Sequence, residues 1–299
     1  MTGSILVIGR RGQLATDLAA LGERHPAGIV ALGRPELDLT QEASIARALD
    51  EAAPAAVINA AAYTNVDRAE SEPDLAFALN RDGPAFLAQE CARRSLPLVH
   101  VSTDQVFDGH KQGGYHETDT PNPLCLYGRS KLEGENAVLA AHDRSLVVRV
   151  SWVFGPSGDN FVTKLLSWAR TREVLTIVSD QRGRPTYSPA LAEALIGFAQ
   201  AMSGHAGPHG ILHLAGGSAM TRYEQALAIM ASAKRRSAQT ARVEPILTRD
   251  FPTAATRPLN AELDCSLAAE KYGIRLGSFG PDLEATLDRL IGPPLASSE

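Results

Sequence analysis

Residues 4–18 read Ser4-Ile-Leu-Val-Ile-Gly-Arg-Arg-Gly-Gln-Leu-Ala-Thr-Asp-Leu18. The apolar run Ile5–Ile8 stops at Gly9, two arginines and Gly12 follow, and apolar residues then recur at helical spacing. A short continuous apolar run suits a strand buried on both faces. A glycine turn that feeds straight into a helix leaves the first N–H groups of that helix free for an anion. In Gly9-x-x-Gly12-x-x-Ala15, Gly9 permits the tight turn and Gly12 lets a diphosphate approach. Ala15 lets the helix pack closely on the strand. At the first strand-to-helix turn this spacing predicts a dinucleotide site held by Gly9, Arg11, Gly12, Gln13 and Leu14.

The same alternation continues outward from that turn. Apolar runs at Ile29–Leu32, Ala56–Ala60, Leu98–Ser102 and Leu146–Val150 are separated by amphipathic segments such as Ile45–Glu51 and Asp74–Arg94. Strand and helix in strict alternation predict an α/β fold, a doubly wound parallel sheet of Rossmann type. Ile211–Leu214 reads as a late strand of the same sheet. After Val150 the rhythm changes. Helices are expected over Asn160–Arg170, Pro189–Met202, Thr221–Lys234 and Asp282–Leu290. Short strands are expected at Leu175–Val178 and Val243–Leu247, and a loop at Gly183–Tyr187. Thr221 with Glu224 three residues on forms a capping-box pattern. This organisation predicts a dinucleotide-binding domain, residues 1–150 with about 183–216, and a smaller mixed α/β substrate lobe, about 151–182 with 217–299.

Composition excludes several classes. The chain has 299 residues and a net charge of −5, so it has no basic surplus for binding nucleic acid. Cys91, Cys125 and Cys265 are too scattered for a disulfide framework or a zinc ligand set, and no metal is expected. No apolar run reaches the ~20 residues of a membrane span. Gly3 leads directly into the first strand, so no signal peptide is expected. A cytoplasmic protein follows, with its tail Pro293–Glu299 frayed.

Cofactor choice is read at the end of the second strand. An acid there would bind a ribose 2′-hydroxyl, but the chain has Gly33-Arg34. Arginine suits a 2′-phosphate, so NADPH is expected, with NADH as the alternative. Arg10 and Arg11 would add positive potential around the phosphates; the other reading of Arg11 is a solvated charge. Asp38 and Leu39 are expected at the adenine. The small residues Ala60, Ala61 and Ala62 would let a cofactor lie against the backbone, although close helix packing explains them equally.

Catalytic groups are sought where strands end. Thr103 and Asp104 follow the fourth run, and Tyr127-Gly-Arg-Ser-Lys131 opens a helix. Tyr127 and Lys131, four apart, share a helical face. An adjacent ammonium is expected to lower the phenol's pKa from its ordinary ~10. Thr103 would hydrogen-bond the oxygen that takes the phenol's proton.

These parts resemble the extended short-chain dehydrogenase/reductase family, within it the branch that reduces 4-keto sugars carried on thymidine diphosphate. The resemblance runs through Asn59–Glu72, Ser102–Gly109, Tyr127–Glu135, Ser151–Gly155, Asn160-Phe161, Asp180–Thr186 and Arg257-Pro-x-Asn260. It implies reduction of dTDP-4-dehydro-6-deoxy-L-mannose to dTDP-L-rhamnose. Thr103, Tyr127 and Lys131 would be catalytic, and Tyr127 and Lys131 would also hold the cofactor. The nucleotide sugar would be met by Thr103, Asp104, Trp152, Asn160, Lys164, Arg184, Arg257 and Asn260. Related dehydratases resemble this chain but carry Asp-Glu after the threonine; here the pair is Asp104-Gln105, and a glutamine cannot abstract the C5 proton. The reductases usually have tyrosine at the position of Gln105, so the local substrate contact differs here. Two rival readings stay open: a non-catalytic NADP-binding regulatory subunit, and a reductase or epimerase of another nucleotide sugar. The expected partner is the small-molecule substrate, with a homodimer as the candidate assembly.

Overall fold

The computed structural model describes residues 3–22, 28–204 and 206–294. The end of the tail, residues 295–299, therefore lies outside the described residues. The apolar runs become β1 (Ile5–Ile8), β2 (Ile29–Leu32), β3 (Ala56–Asn59), β4 (Leu98–Thr103) and β5 (Ser145–Val150). With Gly210–His213 they form a six-stranded sheet in the order Gly210–His213, β5, β4, β3, β1, β2, parallel throughout.

Alternate residues of β1 explain why helices cover both faces. Ile5 and Val7 pack with Leu14, Leu18, Leu191 and Leu195. Leu6 and Ile8 pack on the other side with Ile45, Leu49, Leu87 and Val138. Each such side chain removed from water stabilises the fold by about 1.5–3 kcal/mol. β2 departs from the expectation of burial on both faces. It closes the sheet at one edge, and Val30 is 37% exposed.

The amphipathic stretch 74–94 is not one regular helix. A π turn at Ala78–Asp82 interrupts it between Pro73–Phe77 and Gly83–Arg93. The turn carries Asn80, fully buried, whose amide clasps the Tyr63 backbone N–H and C=O and donates to Ser130 Oγ at 2.9 Å. One side chain thus pins the loop after β3 to the helix Leu126–Ala141.

A further core is built by Phe154, Val162, Leu165, Leu175, Ile229, Phe279 and Leu283. Its helix Arg222–Arg235 begins at the expected capping box of Thr221 and Glu224. Val174–Val178 pairs in parallel with Arg242–Ile246. The expected loop at Gly183–Tyr187 instead contributes to two short strands. Arg182–Gly183 pairs with Met220–Thr221 and Asn260–Ala261, and Thr186–Tyr187 pairs with Val153–Phe154. Two-residue pairings to remote segments have no periodicity to reveal them. No helix among the described residues is long and apolar enough to cross a membrane.

Candidate active site

A cleft of about 960 Å³ opens where the strands of the large sheet end. The glycine turn contributes Gly9, Arg11, Gly12, Gln13 and Leu14, and the end of β2 contributes Arg34, Asp38 and Leu39. Ala60, Ala61 and Ala62 line it after β3. Gly9 adopts φ +127°, and a Cβ there would meet Ala15 Cβ at 3.1 Å and Ala60 C at 3.4 Å. Only glycine takes this turn comfortably. Nothing lies within 4 Å of the Cβ position of Gly12, at the mouth of the helix Gln13–Gly22. Open space at a helix N-terminus, with Gln13 Nε2 buried and unpartnered beside it, fits a diphosphate.

The cations at this turn divide by partner. Arg10 forms an ion pair with Glu36, so its expected contribution to the phosphate field is offset. Arg11 and Arg34 line the cleft, and among the described residues neither makes an ion pair. Asp38 accepts from the Thr40 N–H at 3.0 Å and Thr40 Oγ1 at 2.8 Å, which holds its carboxyl below the usual range.

Opposite the turn, the helix Leu126–Ala141 presents Tyr127 and Lys131, both buried. Lys131 Nζ donates to Val101 O at 2.7 Å and stands 3.3 Å from His100 Nε2. Thr103 stands beside Tyr127, and its hydroxyl donates to Asp104 Oδ1 at 2.9 Å. These four side chains line the same cleft as the glycine turn.

The electrostatics correct one expectation. Burial pushes the Tyr127 phenol well above its ordinary range; the neighbouring Thr103 hydroxyl opposes this, while Asp104 and Cys125 add to it. The direction is set by burial of the phenol, and the depression expected from Lys131 is not among its causes. Lys131 is itself drawn down to about 8 by burial, against the favourable charge of Glu135.

Asp104 is pushed up to about 6 by burial, opposed by the Ser151 and Thr103 hydroxyls, and its Oδ2 has no hydrogen-bond partner. Between the ordinary 3.8 and about 6, the folded state holds a proton that the unfolded chain has released. Stability from this group is therefore full at low pH and lost as pH rises through that window. The cost at neutral pH is on the order of 3 kcal/mol. Asp104→Asn is expected to gain stability relative to the native chain between pH 4 and pH 7.5, by up to that amount in urea unfolding. A pH-independent difference would contradict it.

At the substrate side the expected residues separate. Trp152, Lys164 and Arg257 line the cleft. Trp152 has Arg222 stacked on its ring at 3.6 Å, so that face is occupied. Lys164 pairs with Asp159 at 3.2 Å. Arg257 is held by both oxygens of Asp67, at 2.9 and 2.6 Å, so its charge is already met. Asn160, Arg184 and Asn260 lie away from the cleft lining. Asn160 caps the helix Phe161–Ala169, with its oxygen accepting from Val162 and Thr163 N–H and its nitrogen bonded to Gly155 and Ser157 carbonyls. Arg184 is paired with Glu262 at 2.7 Å. Asn260 bonds the Lys111 and Gly113 carbonyls. Backbone demands take the polar atoms that the sequence suggested were free for ligand.

A family profile described as the RmlD substrate binding domain matches residues 3–291. The chain belongs to that family. The chain is 40% identical over 275 residues to a dTDP-4-dehydrorhamnose reductase of Aggregatibacter actinomycetemcomitans, covering 91% of this chain and 94% of that one. To the enzyme of the same name from Mycobacterium tuberculosis it is 40% identical over 259 residues, covering 85% and 82%. The crystal structure of a Bacillus anthracis dTDP-4-dehydrorhamnose reductase in complex with NADP superposes with a TM-score of 0.89 at 30% identity. It covers 96% of this chain and 99% of that one. A Brucella ovis UDP-glucose 4-epimerase, at 18% identity and a TM-score of 0.82, shares the fold. The resemblance to the extended short-chain reductases is thereby borne out.

In this RmlD-family chain the cleft also holds residues that sequence reasoning passed over. Ser102 and Asp67 line it, and Arg222 sets its charge against Asp104 from outside the lining. Asp67 stands inside the long Asn59–Glu72 stretch, and that was its available signal. Arg222, the first residue of a capped helix, had none.

Proposed function

We propose that this chain uses NADPH to reduce the 4-keto group of dTDP-4-dehydro-6-deoxy-L-mannose, giving dTDP-L-rhamnose. The observation that carries the reading is the meeting of Thr103, Tyr127 and Lys131 with the open glycine turn in one cleft. Gly9, Gly12, Gln13 and the alanine strip would hold the dinucleotide, with Arg11 and Arg34 at its 2′-phosphate. NADPH, when bound, supplies the hydride that adds to C4.

Reduction of a ketone leaves an alkoxide that needs a proton. A phenol pushed above its ordinary pKa is fully protonated at neutral pH, which is the state a donor requires. Tyr127 gives its proton to the C4 oxygen, and Thr103 holds that oxygen in place. Lys131 then faces the phenolate and stabilises it until it is reprotonated. Gln105 has no basicity for removing a C5 proton, so reduction is favoured over dehydration.

We keep the division into a cofactor domain, 1–150 with about 183–216, and a substrate lobe, about 151–182 with 217–299. A cytoplasmic homodimer is part of the same proposal; the three free cysteines suit a reducing compartment.

The test is NADPH oxidation, followed by absorbance, with the 4-keto sugar nucleotide; no oxidation across neutral pH defeats the reading. Arg34→Asp removes the phosphate partner and adds an acceptor for a 2′-hydroxyl. It is expected to shift the ratio of kcat/KM for NADPH over NADH toward NADH by at least about 10-fold, the equivalent of ~1.4 kcal/mol. An unchanged ratio would remove Arg34 from this role.

A further inference from the structure

Behind the cleft, β3 and β4 carry a buried polar chain that ends on Lys131. Asn59 and His100 are opposite each other in adjacent strands, and both are fully buried. Asn59 Nδ2 and His100 Nδ1 are 3.0 Å apart, and His100 Nε2 lies 3.3 Å from Lys131 Nζ. At the far end, Asn59 Oδ1 accepts the Ala61 backbone N–H at 3.1 Å.

Counting donors and acceptors assigns the protons. Ala61 N–H needs an acceptor, so Asn59 turns its oxygen there and its amide nitrogen donates to His100 Nδ1. The ring proton then sits on Nε2 and points at Lys131. An N–H aimed at Nζ needs a lone pair to receive it, so in this arrangement Lys131 is a neutral amine. A charged Lys131 needs the reverse. Nε2 must be bare, the ring proton must sit on Nδ1, and the Asn59 amide must turn over. Ala61 N–H then loses its acceptor, beside Gly9 on the cleft wall.

We propose that His100 and Asn59 are positioning residues that couple the charge of Lys131 to the hydrogen bond of the Ala61 N–H. Lys131 is neutral while Asn59 accepts from Ala61, and gains its charge when that bond is given up, in the free chain as pH falls and at higher pH once a ligand oxygen takes over the N–H. In passing from one arrangement to the other, one proton enters from solvent and ends on Nζ, and the ring proton moves from Nε2 to Nδ1. His100 stays uncharged in both, because burial, joined in one arrangement by the Lys131 ammonium, holds its pKa well below the ordinary value. Glu135, one turn along the helix, favours the charged lysine, and is itself bound by Ser102 of β4 and Arg149 of β5. Tyr127 faces the same site from the lysine's own helix. The inference rests on reading Lys131 as the partner of Tyr127 and the cofactor.

The experiment uses ¹⁵N-histidine-labelled full chain and reads the His100 ring nitrogens by NMR from pH 6 to pH 10. The Nδ1–H form is expected at low pH, giving way to Nε2–H through the Lys131 ionisation at about 8. Saturating NADP⁺ is expected to hold the Nδ1–H form about one pH unit higher or more. Asn59→Asp, whose carboxylate accepts from both Ala61 and Nδ1–H, is expected to do the same without ligand. A single tautomer throughout the range, or an imidazolium, overturns the proposal. If Asn59→Asp does not fold, the native spectra decide alone. These spectra need no turnover, so their failure is separable from a failure of NADPH oxidation.

Discussion

Tyr127→Phe is expected to lower kcat by about 100- to 10,000-fold while leaving the Kd for NADPH within about twofold. The substitution keeps the ring, which is buried against Cys125, Ala69, Ala76 and Ala255, and removes only the hydroxyl. Packing is preserved, so the loss reads the proton donor and not the fold. Thr103 keeps its bond to Asp104, and Lys131 keeps Val101 O. Steady-state kinetics with a separate binding titration for NADPH check the split. Activity within tenfold of the native chain would mean that another group, or water, delivers the proton.

The largest expected effect on stability comes from Arg149→Met. Arg149 and Glu135 are each 1% exposed and joined by three hydrogen bonds, Nε to both oxygens at 3.0 and 3.1 Å and NH2 at 2.7 Å. Ser102 donates to the same carboxylate, and Phe107 lies under the guanidinium at 5.1 Å. Removing the cation strands a buried carboxylate, which costs about 3–5 kcal/mol. Replacing both partners, Glu135→Leu with Arg149→Met, leaves no stranded charge and is expected to recover most of that loss. Urea unfolding midpoints of the single and double variants decide it. A double variant as unstable as the single would show that the pair's charge is not what matters. Because Ser102 precedes Thr103, the single variant is also expected to lower kcat.

How much of this was legible follows from the range of each interaction. Ile5–Ile8, Gly9, Gly12 and Ala15 are neighbours in sequence, so spacing alone revealed a strand, a turn and a close helix. Tyr127 and Lys131 share one helical face, and Thr221 with Glu224 is a local cap; both were readable for that reason. Asp67 and Arg257 lie 190 residues apart, and Arg184 and Glu262 lie 78 apart. A lone arginine in sequence looks free for a diphosphate until its distant acid is seen. The amide of Asn160 is engaged nearer by, since a helix N-cap and a ligand contact use the same group. The sign of the Tyr127 shift was beyond reach, because desolvation depends on how completely the pair is enclosed. Likewise the histidine behind Lys131 is only one apolar-run residue until β3 and β4 are set side by side.

The most direct test of the account follows a single atom. The chain is incubated with dTDP-4-dehydro-6-deoxy-L-mannose and NADPH carrying deuterium at the transferable position, and the product is read by NMR. Deuterium at C4 of dTDP-L-rhamnose, lost in parallel with activity in Tyr127→Phe, is the result predicted. Product without deuterium at C4, or NADPH left unconsumed beside intact keto sugar, would contradict it.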